Sequence, residues 1–213
     1  MYGKAGLNLS CRISIKKWQN TEKMNQLKNT IQTILRLDEE VFAALELIFS
    51  TKVLRKGAFL AEQGRIERSF AFIESGLLRA FYTDNGGYEY NKTFFLENEF
   101  VGAYSSLVTG KVNQINIQAM EDSVLLVANY SDLLALYDRF PKMEKMGRLL
   151  AEQYFVEKER REIELVLLNA EERYQMFRKE YTGLENRIPQ YYIASYLGIT
   201  PTQLSRIRAK RTA

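Results

Sequence analysis

The chain has 213 residues, 46% of them hydrophobic, with 13 Tyr and 12 Phe, which is ample material for a core and argues against disorder over most of its length. It has 30 Lys and Arg against 26 Asp and Glu, no His, and Cys11 as its single cysteine. That inventory excludes an internal disulfide, Ser-His-Asp and Cys-His catalysis, His-built zinc or haem sites and multi-cysteine iron–sulfur clusters, and it fits a reducing cytoplasm.

Residues 1–23 are unlike the remainder, with short apolar patches broken by Lys and Arg, and are expected to form a poorly ordered tail; Met24 is a credible second start. From Leu27 to Phe49 the apolar residues Leu27, Ile31, Ile34, Leu35, Val41, Leu45 and Ile48 recur at helical spacing, so short helices are expected with a break near Asp38. Between Val53 and Val127 lie seven of the twelve glycines, separating short runs of aromatic and β-branched residues such as "FAFIESG", "LLRAFYT" and "SVLLVA". Asp84-Asn85-Gly86-Gly87 is a hairpin signal. Short strands with glycine corners predict an antiparallel sandwich or jelly roll.

After Tyr130 the pattern becomes helical. Ser131 is a candidate cap for "DLLALYDRF", and Pro141 opens a long helix to Leu168 with Met143, Met146, Leu150, Tyr154, Ile163 and Leu167 near one stripe. Such a helix is about 40 Å long, more than one β-domain covers easily, so pairing with a second copy is the natural use and a helix lying along its own domain the alternative. "NAEERYQMFRKEYTGL" supplies a further helix that stops at Gly183.

The last stretch, "IASYLGITPTQLSRIRAK", reads as helix, glycine turn, helix. Gly198 suits a left-handed C-cap, Thr200 an N-cap and Pro201 the first helical position. With Leu204 and Ile207 facing inward, Thr202, Gln203, Ser205, Arg206, Arg208 and Lys210 face away, and from Asn186 onward there is no Asp or Glu. A polar and cationic face free of acid suits a recognition helix in a DNA major groove. Arg206 would pair with guanine and Gln203 with adenine, while Lys210, Arg211 and Arg187 are placed for phosphate. The competing reading is a small helical hairpin with a solvated basic face; the core spacing, the caps and the one-sided charge favour DNA.

From about Leu35 to Arg211, through "LRKGAFLAEQG", "FAFIESGLLRAFYTDNGGYEY", "EFVGAYSSLVTG" and "IASYLGITPTQLSRIR", the chain resembles the Crp/Fnr family of bacterial transcription regulators, especially the divergent forms of Bacteroidetes. The resemblance implies an α+β protein: an antiparallel, cyclic-nucleotide-binding-like β-roll over 24–140, a dimerisation helix over 141–168 and a winged-helix or helix-turn-helix domain over 169–213. It implies a homodimer reading two half-sites on double-stranded DNA with Thr200, Pro201, Thr202, Gln203, Ser205, Arg206, Arg208 and Lys210, and RNA polymerase and a small-molecule effector as further partners, with no membrane, metal or cofactor. Little chain remains for a wing after the recognition helix. Nucleotide-binding members have Gly-Glu in the ligand cassette, where this chain has Gly102-Ala103, and Arg-Ser/Thr-Ala where it has Asn113-Gln114-Ile115. Both main ligands of a cyclic nucleotide are thus absent, so cyclic AMP is not the expected effector. Lys158 and Glu159 are the long-helix residues nearest the pocket, serving another ligand or the dimer seam. Two other classes compete: a sensor or interaction protein without DNA binding, and a cupin-like metal enzyme, which the lack of histidine and of clustered carboxylates disfavours.

Overall fold

A helix over residues 24–34 (α1) and a second over Glu39–Glu46 (α2) open the part of the chain that the computed structural model describes, residues 24–212. The expected tail over 1–23 lies outside the described residues, as do Ala213 and the side chains of residues 211 and 212. The break falls at 35–38, where Asp38 is extended and Glu39 and Glu40 follow at the positive end of the α2 dipole.

Eight strands follow: β1 (Ser50–Leu54), β2 (Phe59–Ala61), β3 (Ser69–Ser75), β4 (Leu78–Thr83), β5 (Glu89–Phe95), β6 (Phe100–Gly102), β7 (Asn116–Ala119) and β8 (Ser123–Asn129). A short helix, α3 (Tyr104–Thr109), separates β6 from β7. The strands form two four-stranded sheets, ordered β1-β8-β3-β6 and β2-β7-β4-β5, and every pairing is antiparallel. The β4–β5 hairpin turns at Asp84, whose Oδ1 accepts from the amides of Gly86 (2.8 Å) and Tyr88 (2.9 Å).

Because side chains alternate across a strand, β3 serves two cores. Ala71 and Ile73 point between the sheets with Leu78, Ala80, Ile117 and Leu125. Phe70 and Phe72 point outward and join Leu126, Met143 and Met146 in the layer formed with α1 and α2. A third core joins Leu77, Phe94 and Met120 of the roll to the C-terminal helices.

Strand β8 runs straight into α4 (Tyr130–Arg139), so the cap position is Asn129 and Ser131 lies inside the first turn. Asn129 is still paired with Ser69, and the Tyr130 amide donates to Arg68 O at 2.8 Å, which fixes the change of direction one residue earlier than Ser131. The long helix α5 spans Pro141–Leu167, about 40 Å. The expected stripe on it divides. Met143 and Met146 are buried against the roll, whereas Ile163 and Leu167 are 51% and 74% exposed, as are Phe155 (66%) and Val166 (81%).

Beyond it come α6 (Ala170–Glu180), a 3-10 turn (Leu184–Asn186), α7 (Gln190–Leu197) and α8 (Pro201–Thr212). Asn169 and Glu172 form a reciprocal capping box at the start of α6. No strand follows β8 among the described residues, so the winged part of the expected C-terminal domain does not appear there; the connection from α6 to α7 is taken up by the 3-10 turn. Among the described residues no helix is long and apolar enough to cross a membrane.

Candidate nucleic-acid interface and effector cassette

The α7–α8 unit is built by local rules. Gly198 sits in the left-handed region (φ 68°), and its amide reaches the carbonyls of Ala194 and Ser195. The next amide, Ile199, also bonds Ala194 O at 3.0 Å, closing the turn. Thr200 Oγ1 accepts from the Gln203 amide at 3.2 Å, the N-cap bond that starts α8. Leu204 and Ile207 are buried with Ile193, Ala194 and Leu197 of α7 and with Phe177 of α6. That burial fixes the rotation of α8 and turns Pro201, Thr202, Gln203, Ser205, Arg206 and Lys210 to solvent. Neither Arg206 nor Lys210 makes an ion pair among the described residues.

Two cations read from the sequence as free for DNA are committed elsewhere. Arg208 turns toward the 3-10 turn, with Nη1 3.7 Å from Glu185 Oε1. The same carboxylate accepts from Tyr174 Oη (2.5 Å) and Arg178 Nε (3.1 Å), so Arg208 braces α8 against α6 rather than facing away with Arg206. Arg187 bonds both Glu97 (2.7 Å and 3.1 Å) and Glu121 (2.5 Å), carboxylates on loops of the roll. These bonds, to Glu97 first and then Glu121, push the Arg187 guanidinium still higher than its ordinary value. Arg187 therefore ties the segment from α6 onward, the head, to the roll.

The head is anchored at three further places. Arg173, at the start of α6, donates to Leu168 O (2.6 Å) and Leu197 O (3.0 Å), placing a cation at the carbonyl ends of α5 and α7. Arg161 of α5 lies 3.9 Å over the Tyr196 ring and also donates to the Tyr196 carbonyl. On the roll, Arg79 of β4 is only 2% exposed and is stacked between Phe81 (3.8 Å) and Tyr192 of α7 (4.0 Å). Its guanidinium pairs with Glu89 at 2.6 Å and bonds Gln118 and Asn91. Nothing in the sequence pointed to this arginine except its place in an otherwise apolar strand, "LLRAFYT".

The candidate effector residues are only partly brought together. Gly102 ends β6, and Ala103, 2% exposed, precedes α3. Asn113 is buried and fully engaged in holding its own loop: Nδ2 donates to Glu62 O (3.1 Å) and Ile115 O (2.5 Å), and Oδ1 accepts from the Ile115 amide (3.1 Å). Its backbone bonds Gly64 and Arg65, and Ser106 Oγ bridges Lys111 O and the Glu67 amide. Gln114 is exposed and bonds Val112 O. Lys158 and Glu159 lie on the exposed side of α5, where Lys158 pairs with Glu162 at 3.8 Å. The polar groups that would meet a cyclic phosphate are thus spent on closing the cassette, and from 102 to 114 the only cation is the exposed Lys111.

Residues 51–140 match the cyclic nucleotide-binding domain family. Among curated protein sequences none matches the chain. Among solved structures, the catabolite activator protein of Thermus thermophilus is similar with a TM-score of 0.53 at 25% identity, over 83% of this chain and 84% of its own. A candidate Crp/Fnr-family transcriptional regulator from Eubacterium rectale gives 0.66 at 16% identity, over 83% and 84%. The c-di-GMP responsive global regulator CLP of Xanthomonas campestris gives 0.67 at 13%, over 82% and 92%. Residues 51–140 thus match the cyclic nucleotide-binding domain, and over about four fifths of its length the chain shares the fold of solved Crp/Fnr-type regulators.

Proposed function

We propose that this chain is a cytoplasmic, non-enzymatic DNA-binding transcription regulator of the Crp/Fnr type, a homodimer that reads two half-sites through α8. The observation that carries the reading is the exposed face of that helix: Thr202, Gln203, Ser205, Arg206 and Lys210 point outward over a core sealed by Leu204 and Ile207, with no acid after Glu185. Arg206 is assigned to guanine, Gln203 to adenine and Lys210 to phosphate. Thr200 and Pro201 are assigned the helix N-terminus that meets the backbone. Arg208 is assigned a bracing role behind this face.

The exposed apolar residues of α5, Phe155, Val156, Ile163, Val166 and Leu167, support pairing with a second copy. Lys158 and Glu159 are read as part of that seam. The roll takes no cyclic AMP, because a buried anion without a cation would be poorly compensated. A different small-molecule effector would act by shifting the population of head placements, with RNA polymerase as the downstream partner.

The test is selection of a binding site from a random duplex pool, followed by mobility shift at two salt concentrations. Six to ten phosphate contacts would cost roughly a thousand-fold or more in affinity between 50 and 200 mM salt. No enriched site, or binding indifferent to salt, rejects the reading. Sedimentation should give twice the chain mass.

A further inference from the structure

Strand β5 is an edge of its sheet, so its outward amides and carbonyls have no neighbouring strand. Helix α7 covers that edge. Ser195 Oγ accepts from the Asn91 amide at 3.0 Å and donates to Glu89 O at 2.9 Å, one hydroxyl satisfying two outward backbone groups as a ninth strand would. One turn earlier, Tyr192 O accepts from Asn91 Nδ2 at 3.0 Å while its ring closes over Arg79. Next along the strand, Thr93 Oγ1 bonds Tyr181 Oη at 3.0 Å, and Phe94 packs edge-on against Tyr181 (5.6 Å) and Phe177 (6.2 Å).

We propose that Arg79, Asn91, Tyr192 and Ser195 form a lock that fastens α7 to the β5 edge, so that the reading head and its β-roll turn as one rigid body. Domains joined by small polar contacts move freely, whereas a joint that is both apolar and hydrogen-bonded does not. The lock is cooperative in design: the Tyr192 ring removes Arg79 from water, Arg79 holds the Asn91 amide group, and Asn91 carries two of the three hydrogen bonds to α7. An effector that moved the head would have to open it. This last consequence rests on the regulator reading; the lock itself does not.

The Asn91 amide reports the lock directly and without DNA, because it donates to Ser195 Oγ of α7. Amide hydrogen exchange of the full-length protein, followed residue by residue by NMR, should show at least about 100-fold protection at Asn91, the sum of a few net hydrogen bonds and a desolvated cation–π contact. Tyr192→Ala and Arg79→Gln leave the Asn91–Ser195 pair in place, yet each should lower that protection about tenfold or more, while Ile73 in the central strand β3 keeps its own. Free exchange at Asn91 in the unaltered protein, or unchanged protection in both variants, overturns the proposal. Failure to bind DNA with Asn91 protected would count against the regulator reading and leave the lock standing.

Discussion

Replacing Arg206 by Ala separates base reading from folding, because the structure leaves this side chain exposed and without an ion-pair partner among the described residues. Its loss should change stability by no more than about 0.5 kcal/mol. A bidentate guanine contact is worth about 1–3 kcal/mol, which at 1.4 kcal/mol per tenfold is a roughly 5- to 140-fold loss for each head. A dimer carries the change twice, about 2–6 kcal/mol in all. The assay is fluorescence-anisotropy titration on the selected operator and on a copy with the guanine replaced, beside urea unfolding of both proteins. Arg206→Ala should weaken binding to the first duplex and barely alter binding to the second. Arg208→Ala makes the contrast, since it removes the 3.7 Å partner of Glu185 and should show first in the unfolding curve. Binding of Arg206→Ala to the operator within twofold of the unaltered protein would refute the assignment.

At Gly76, φ is +107° and an added Cβ would lie 2.2 Å from Ser123 Oγ and 2.7 Å from its Cα, a fully buried neighbour; Gly76→Ala should cost roughly 2 kcal/mol or more, and a calorimetric midpoint within a degree of the original would contradict the packing. Burial pushes the Glu99 carboxyl from 4.5 up to about 7, opposed by the Leu96 amide and reinforced by Glu157, Glu180 and Glu97. A folded-state value above the unfolded one means that the group's contribution is complete below about pH 4.5 and is lost as pH rises through about 7; thermal midpoints measured across that window should fall with pH, and Glu99→Gln should flatten the fall. Cyclic AMP at millimolar concentration should leave the midpoint where it is, because only a ligand bound by the folded state raises it; a concentration-dependent rise would show that the closed cassette accepts the nucleotide.

What was legible in the sequence is what neighbouring residues decide between themselves. Gly198, Thr200 and Pro201 bound their helices through contacts a few residues away, and the spacing of Ile193, Leu197, Leu204 and Ile207 fixes which side of α8 meets water. The strands of the roll, the Asp84 hairpin and the break before Glu39 are local in the same sense. What only the tertiary structure decided is the fate of groups whose partners lie far along the chain. Arg187 and Arg208 look alike in a cationic segment, but one is drawn to Glu97 and Glu121 and the other to Glu185. Ser131 falls inside the first turn of α4 because β8 holds its ladder as far as Asn129, and Asn113 is consumed by carbonyls of two loops. Arg79 becomes a buried link between roll and α7 only when Tyr192, more than a hundred residues later, folds over it. Periodicity and caps report backbone geometry over a few residues, whereas the environment of a charge depends on which surfaces meet, and no short-range pattern specifies that.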